Sequence, residues 1–193
     1  MTRSAHRRRE TKETTVDVTL TVDGSGTASA STGIPFFDHM LEQLGKHAGF
    51  DLRIEATGDL DVDLHHTVED VGIVLGTAFK EALGDKAGVR RFASVSVPLD
   101  EALVEVALDL SGRPFLVYAI DPVAEWIGTF DPQLAEEFWR AFAFAAGITL
   151  HLRSVSGRNG HHVIEASCKG FARALRDAMR IEGVGVPSTK GLL

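Results

Sequence analysis

The pentapeptides HHTVE at residues 65–69 and HHVIE at residues 161–165 are two copies of one pattern. Each has two adjacent histidines followed by a glutamate, and each opens a stretch in which apolar residues recur at helical spacing. On a helix, residues i and i+4 share a face, whereas adjacent residues point about 100° apart. The first histidine and the glutamate of each copy can therefore bind one metal ion, while the second histidine points toward another. Imidazole and carboxylate groups bind first-row divalent metals, so the doubled pattern predicts a two-metal site.

The two motifs lie within a repeat that runs along the chain. Residues 66–83 align with 162–179 at an offset of 96, and residues 47–54 align with 145–152 at an offset of 98. The upstream pair reads in both halves as a helix ended by glycine and followed by an alternating strand. One pair of histidines could simply be solvated at the start of a surface helix. Two pairs in equivalent places of a repeat favour a metal site.

The repeat also predicts a fourth donor from each half. At the offset of 98, His39 falls on Glu137, and each lies on the first helix of its half, with Pro35 opening the helix of His39. The predicted donors then number eight, four for each ion: His39, His65, His66, Glu69, Glu137, His161, His162 and Glu165.

Four strands are predicted before the first helices, at 14–22 and 27–31 in one half and at 104–110 and 115–120 in the other. Each half then reads as strand, strand, helix, strand, strand, helix, which is an internally duplicated ββαββα unit. Strands and helices segregated in this way predict an α+β fold with the helices packed between two sheets. We expect one domain over 1–193, made of repeats at about 10–88 and about 89–182 and a C-terminal tail at 183–193.

Composition limits the classes of function. The 193 residues carry 20 Lys and Arg against 27 Asp and Glu, a formal net charge of −7, so no basic surface for nucleic acid is expected. The basic residues that cluster lie within the first dozen positions, and we interpret them as a solvated arm: Arg3, Arg7, Arg8, Arg9 and Lys12.

The lone cysteine, Cys168, falls in an apolar helical pattern, so we interpret it as a core residue. It excludes an internal disulfide and suits a reducing cytosol. No apolar run approaches the roughly 18 residues of a membrane span, and the N-terminal segment lacks the apolar region of a signal peptide. The sequence therefore predicts a soluble, cytoplasmic protein with no membrane or nucleic-acid partner.

With these residues in hand, the chain strongly resembles the imidazoleglycerol-phosphate dehydratase family of histidine biosynthesis. The resemblance covers nearly the whole length and rests on several independent motifs in the same order: FFDHML at 36–41, HHTVED at 65–70, DLSGRP at 109–114, GRNGHH at 157–162 and PSTKG at 187–191. It implies a metal-dependent lyase that dehydrates imidazole glycerol phosphate to imidazole acetol phosphate. It further implies a four-helix layer between two four-stranded sheets, two Mn²⁺ per active site, and a homo-oligomer of 24 subunits with active sites at subunit contacts.

Carried over by position, the resemblance implies two sets of metal ligands. One ion is expected to bind His39, His66, His161 and Glu165, and the other His65, Glu69, His162 and the residue at 137. Position 137 is often histidine in the family, whereas this chain has Glu137. The second site is therefore more anionic than usual, and we expect both sites to fill.

The resemblance also implies roles in catalysis and substrate binding. Glu13 matches the family's substrate-contacting acid and is expected to carry a proton, and the ligands His65 and Glu165 complete the expected catalytic set. The glycine-rich tail is expected to be mobile until phosphate binds. The full expected substrate-binding set is Glu13, His39, Gln43, His47, Arg91, Arg113, Lys169, Ser188, Thr189 and Lys190.

Two other functions remain open from the sequence. A two-metal hydrolase would use a bridging hydroxide, but such sites usually contain more carboxylates, and the histidine-rich donor set here favours a Lewis-acid site for an azole ring. Metal storage in a hollow shell is the non-enzymatic alternative. Storage would not need Arg91, Arg113 or the Ser188-Thr189-Lys190 tail.

Overall fold

The computed structural model describes residues 2–121 and 126–193. Strands and helices follow one another in the same order in both halves of the chain. Each half contains three strands, a helix, a strand and a second helix. The elements of the first half are β1 (Ser4–Glu10), β2 (Thr14–Thr21), β3 (Ala28–Ser31), α1 (Pro35–Ala48), β4 (Asp51–Gly58) and α2 (His65–Leu83). Those of the second half are β5 (Phe92–Leu99), β6 (Ala102–Asp109), β7 (Phe115–Ala119), α3 (Gln133–Ala146), β8 (Thr149–Ser156) and α4 (Gly160–Ala178).

The two halves form two sheets of four strands with the same topology. The strand orders are β1-β2-β4-β3 and β5-β6-β8-β7. In each sheet the first three strands in this order pair antiparallel, and the fourth pairs parallel to its neighbour. Val18 pairs with Ile54 in one sheet, and Val106 pairs with Leu152 in the other. The predicted duplication of an α+β unit is therefore confirmed.

The four helices lie between the sheets. Helices α1 and α2 pack on the first sheet and α3 and α4 on the second, while α2 packs against α3 and α1 against α4. Glycines allow the closest of these approaches, because a Cβ on Gly76 of α2 would lie 2.6 Å from the carbonyl oxygen of Phe142. Bulky residues fill the remaining space, with the rings of Trp139 and Phe171 centred 4.8 Å apart.

The predicted glycine ends of the first helices are confirmed. Gly49 caps α1 with φ 77° and Gly147 caps α3 with φ 67°, a left-handed backbone that favours glycine. The N–H of Phe50 then donates to the carbonyl of Gly45, and the chain turns into β4. This turn brings the strand of each half back along the helix that it follows.

The N-terminal basic segment is not a solvated arm, as the sequence suggested, but the edge strand β1. Arg7 pairs with Val18 of β2 in the ladder. Two arginine side chains of this strand also form ion pairs with α2, at 2.6 Å between Arg7 and Glu81 and at 2.9 Å between Arg9 and Asp70. These contacts hold the charged strand on the sheet although it presents little apolar surface.

Each half has the predicted four strands and two helices, although one strand stands earlier in the chain than expected. Strands β1 and β5 precede the strands predicted at 14–22 and 104–110, and one strand rather than two follows each first helix. The interpretation of Cys168 as a core residue is confirmed, because it is buried on α4 and burial raises the pKa of its thiol to about 12. Within the two described ranges, every helix is too short or too polar to cross a membrane.

Candidate metal centre

Three of the predicted ligands converge where α1 meets α4. His39 of α1 and His161 and Glu165 of α4 offer ligand atoms that all lie within 4.8 Å of one another. Nε2 of His161 is 2.9 Å from Oε2 of Glu165, and Nε2 of His39 is 3.9 Å from the same oxygen. Across residues 2–121 and 126–193, this is the one group of three or more His, Cys, Asp or Glu donors with such spacing.

The carboxylate of this group is kept ionised by a neighbouring lysine. Burial raises the pKa of Glu165, but the hydrogen bond and charge of Lys169 and the hydrogen bond from His161 lower it by more, so its pKa lies below the ordinary value. Nζ of Lys169 is 2.7 Å from Oε1, which leaves Oε2 facing the two histidines. An ionised carboxylate oxygen beside two imidazoles fits a divalent first-row metal.

The histidine pair of α2 begins the helix, as predicted. The rings of His65 and His66 have centroids 6.1 Å apart and are inclined at 87° to each other. Nδ1 of His66 lies 3.0 Å from Oδ2 of Asp59 and 3.8 Å from Oε2 of Glu13. The hydrogen bond to Asp59, followed by the charge of Glu13, raises the pKa of His66.

The histidine pair of α4 has a corresponding arrangement. Nδ1 of His162 lies 2.8 Å from Oε2 of Glu101, which follows β5. This hydrogen bond raises the pKa of His162. The same bond, together with the backbone N–H groups of Asn159 and Arg158, lowers the pKa of Glu101 to about 2. A histidine that donates one ring N–H to a carboxylate is typical of metal sites.

Asp59 and Glu101 were missed by the sequence analysis. Asp59 comes seven residues before His66, in the loop after β4, and helical spacing gave no reason to select it. Glu101 is 61 residues from His162, and only the packing of α4 on β5 and β6 brings the two together. A signal did exist in the repeat, because Glu13 and Glu101 each stand one residue before the second strand of their half.

The single chain does not assemble either predicted set of four ligands. His66 lies on α2, which packs against α3, whereas His39, His161 and Glu165 lie on the α1–α4 pair. The second set is divided in the same way. His65 and Glu69 are on α2 and Glu137 is on α3, whereas His162 is on α4; Oε2 of Glu137 lies 3.5 Å from Nε of Arg140.

Predicted substrate-binding residues extend from the three-residue group along the helix pair. Gln43 and His47 follow His39 on α1 at successive turns, and their side chains hydrogen bond at 3.1 Å. Burial, followed by the charges of Lys169 and Arg173 on α4, lowers the pKa of His47. Beside the predicted metal ligands, the hydrogen-bonded pair Gln43 and His47 on α1 thus faces the cations Lys169 and Arg173 on α4.

The residues expected to bind phosphate gather around Asp109. Arg91 donates to both carboxylate oxygens of Asp109 at 2.7 and 3.1 Å and to the carbonyl of Pro187 in the tail at 2.8 Å. Arg113 lies 3.6 Å from the same carboxylate, and its side chain is 68% exposed. In the tail, the hydroxyl of Ser188 accepts the N–H of Lys190 at 3.2 Å. Arg91 thus anchors the tail segment that carries Ser188, Thr189 and Lys190; the mobility of that segment stays a prediction.

Two further histidines, His6 and His151, lie outside this region. His6, on β1, lies 3.0 Å from a carboxylate oxygen of Asp17, and both side chains are on the surface. His151 is exposed on β8.

Comparison with known proteins gives one consistent family. A family model described as imidazoleglycerol-phosphate dehydratase matches residues 32–175. A protein of that name from Acidothermus cellulolyticus is 59% identical over 192 residues, covering 99% of this chain and 93% of the relative. One from Parafrankia is 55% identical over 195 residues and covers the whole of both chains.

Solved structures agree with the sequence comparison. The crystal structure of imidazoleglycerol-phosphate dehydratase from Staphylococcus aureus is 38% identical, with a TM-score of 0.82 over 91% of this chain and 97% of that chain. The enzyme from Pyrococcus furiosus, in complex with (S)-C348, is 37% identical, with a TM-score of 0.84 over 97% of this chain and 100% of that chain. The similarity therefore includes the helices that carry both histidine motifs.

Proposed function

The chain belongs to the imidazoleglycerol-phosphate dehydratase family of hydro-lyases, and we propose that it converts imidazole glycerol phosphate to imidazole acetol phosphate in histidine biosynthesis, with two Mn²⁺ in each active site. The observation that carries the proposal is the convergence of His39, His161 and Glu165 in a chain of this family. Two imidazoles and an ionised carboxylate provide the nitrogen and oxygen donors that a Mn²⁺ site needs. His65, His66, Glu69, Glu137 and His162 would complete the two ligand sets.

In the proposed reaction, the imidazole ring of the substrate must donate electrons while the neighbouring hydroxyl leaves and recover them when the next carbon loses its proton. Bound metal ions would supply Lewis-acid stabilisation of the substrate's imidazolate form, an effect worth several kcal/mol in typical sites. The hydroxyl on the carbon beside the ring would leave together with the proton given up by the ring nitrogen, as water. Loss of a proton from the next carbon gives an enol, which becomes the ketone of the product. The chain must therefore hold the ring, carry protons and bind the phosphate.

Glu13 is suited to carry the proton. It lies in the turn between β1 and β2, its side chain is 56% exposed, and Oε2 is 3.8 Å from Nδ1 of His66. Its backbone N–H donates to the hydroxyl of Thr11, which fixes the turn. Because Asp59 provides the closer carboxylate to His66, Glu13 need not orient that ring and can exchange a proton with the substrate carbon.

The phosphate end requires cations that can bind several oxygens at once. Arg113 has an exposed guanidinium for bidentate binding, and the tail brings Ser188, Thr189 and Lys190 to the same region through the contact between Arg91 and Pro187. Arg91 already forms a bidentate pair with Asp109, so its first role is to place the tail. Lys169, Gln43 and His47, beside the proposed ligands on α4 and α1, would contact the substrate near the metal ions.

Active sites shared between subunits would bring the ligand sets together. Each set draws on the α1–α4 pair and on the α2–α3 pair, and these pairs do not meet at their histidines within one chain. A homo-oligomer in which the α2–α3 end of one subunit faces the α1–α4 end of another would supply the missing donors. We propose the 24-subunit shell implied by the family resemblance.

One assay tests the proposal against its alternatives. The purified protein is loaded with Mn²⁺ and given imidazole glycerol phosphate, and the ketone product is measured together with released phosphate. Keto product that depends on Mn²⁺ and disappears with EDTA supports the dehydratase. Phosphate release without the ketone would favour the hydrolase, and metal uptake with no turnover of either kind would favour storage.

A further inference from the structure

We infer that Glu101 is a positioning residue, whose carboxylate holds His162 in the tautomer that leaves Nε2 available to a divalent cation. The inference rests on the proposed function, in which His162 is a metal ligand. Its basis is the 2.8 Å separation between Oε2 of Glu101 and Nδ1 of His162. Neutral imidazole carries one N–H, so a ring that donates from Nδ1 presents a lone pair at Nε2.

The direction of this hydrogen bond is fixed by the other partners of Glu101. Oε1 accepts the backbone N–H groups of Arg158 at 3.1 Å and Asn159 at 2.8 Å. The main-chain carbonyl of Glu101 also accepts the hydroxyl of Ser156 at 3.1 Å. A carboxylate that accepts two backbone N–H groups is ionised, so its other oxygen carries no proton and can only accept a hydrogen bond. Nδ1 of His162 must therefore be the donor.

The internal repeat places Glu13 and Glu101 at equivalent hairpin positions, but only Glu101 forms a hydrogen bond to a histidine. Glu13 precedes β2 as Glu101 precedes β6, at an offset of 88 residues, and the two strands have the same alternating burial pattern. In the first half Asp59 takes the Nδ1 hydrogen bond, and Glu13 stays 3.8 Å from the ring. At the offset of 98, Asp59 falls on Gly157, which has no side chain to offer. The hairpin glutamate of the second half therefore orients the histidine itself.

A second carboxylate near the ring makes it necessary to separate orientation from charge. Oδ2 of Asp100 lies 3.9 Å from Nε2 of His162, and its side chain is 77% exposed. A negative charge near His162 would attract a cation whichever ring nitrogen carried the proton. The test must therefore read which ring nitrogen of His162 carries the proton, in addition to the Mn²⁺ affinity.

Glu101→Gln reverses the hydrogen bond at nearly constant shape. Two backbone donors select the amide oxygen of glutamine, so its NH₂ group faces Nδ1 of His162 and favours the tautomer protonated at Nε2. Glu105→Gln is the matched control, because it removes a carboxylate from β6 that pairs only with Arg153 at the surface among the described residues. We expect Glu101→Gln to weaken Mn²⁺ binding at the affected site by about 10–100-fold, and Glu105→Gln to leave it unchanged.

The tautomer itself is read from the metal-free protein. Histidine-labelled protein is studied by solid-state ¹⁵N NMR, which suits a large homo-oligomer, at a pH high enough that the His162 signal no longer changes and the ring is neutral. The His162 signal is assigned with a His162→Gln variant. We expect Nδ1–H in the wild type and in Glu105→Gln, and Nε2–H in Glu101→Gln. Nε2–H in the wild type, or equal Mn²⁺ affinity in Glu101→Gln and Glu105→Gln, would overturn the inference. The wild-type measurement stands even if Glu101→Gln fails to fold. A wild type that binds no Mn²⁺ or forms no ketone would instead count against the proposed function.

Discussion

Glu165 and Lys169, one turn apart on α4, form a 2.7 Å ion pair that occupies Oε1 and leaves Oε2 to His161 and His39. One oxygen of the Glu165 carboxylate therefore contacts the lysine ammonium, which keeps the group ionised, and the other oxygen lies near both imidazole rings. This division explains how a side chain only 12% exposed could serve as the anionic ligand that we propose.

Replacing Glu165 with glutamine should separate metal binding from folding. The amide keeps the shape but loses the charge, so we expect Mn²⁺ affinity to fall at least tenfold and ketone formation to become undetectable, with an unchanged circular dichroism spectrum. Calorimetric titration with Mn²⁺ measures the affinity. Glu42→Gln, an exposed position on α1, is the control and should bind like the wild type. Normal Mn²⁺ binding by Glu165→Gln would remove this residue from the ligand set.

Replacing Glu13 with glutamine should lower turnover without lowering the Mn²⁺ content. Glu13 is a proposed proton carrier but not a proposed ligand, so turnover should fall by about 10²–10⁴-fold while the Mn²⁺ content stays that of the wild type. Steady-state kinetics with elemental analysis of the same preparation measures both. Glu10→Gln changes a neighbouring glutamate at the end of β1, paired with Arg8 at the surface, and should retain full activity. Unchanged turnover in Glu13→Gln would end the assignment.

The helices, their glycine ends and most of the strands could be predicted from the sequence, because each has a local pattern. Strand β1 could not, since HRRRE at residues 6–10 has no apolar alternation, and ladder pairing with β2 and ion pairs to α2 hold it in place. Strand β5 does alternate in burial, but it comes before the strand predicted at 104–110 and was not among the predicted strands.

The proposed metal ligands could be selected from sequence because i, i+4 spacing has a direct geometric meaning on a helix. The carboxylates that orient the histidines could not be selected in this way. Asp59 lies in a loop, and Glu101 reaches His162 through a hairpin and a sheet. Such partners depend on tertiary topology, and only the internal repeat gave a clue to them.

Both metal sites should fill despite the glutamate at position 137. Two carboxylates, Glu69 and Glu137, with His65 and His162 make a more anionic donor set, which still suits Mn²⁺. Elemental analysis of purified, dialysed protein should find two Mn²⁺ per chain. Glu137→His should also hold two, with a changed affinity at one site only in a Mn²⁺ titration. One tightly held ion per chain in the wild type would show that Glu137 does not support the second site.

The contact between α2 and α3 should tolerate no side chain at Gly76. A Cβ there would lie 2.6 Å from the carbonyl oxygen of Phe142, and a backbone atom cannot move aside without shifting the helix. Overpacking costs about 1–3 kcal/mol, which exceeds the gain of about 1 kcal/mol from alanine in a helix. Thermal unfolding of Gly76→Ala should therefore begin several degrees below the wild type. Gly183→Ala, with open space around the new Cβ, should leave the unfolding temperature unchanged.

The ion pair between Arg3 and Asp23 should make a pH-dependent contribution to stability. Arg3 donates to both carboxylate oxygens, which lowers the pKa of Asp23 below its ordinary value of 3.8. A lowered folded-state pKa stabilises the fold above the unfolded-state pKa, and the contribution is lost as the pH falls through the folded value. Both groups are partly exposed, with 20% and 45% of their side chains accessible, so the effect should stay below about 1 kcal/mol. Urea unfolding of Asp23→Asn and the wild type should therefore differ by a constant amount between about pH 5 and pH 7 and converge below about pH 4. A difference that persists unchanged at low pH would show that Asp23 acts through packing rather than through its charge.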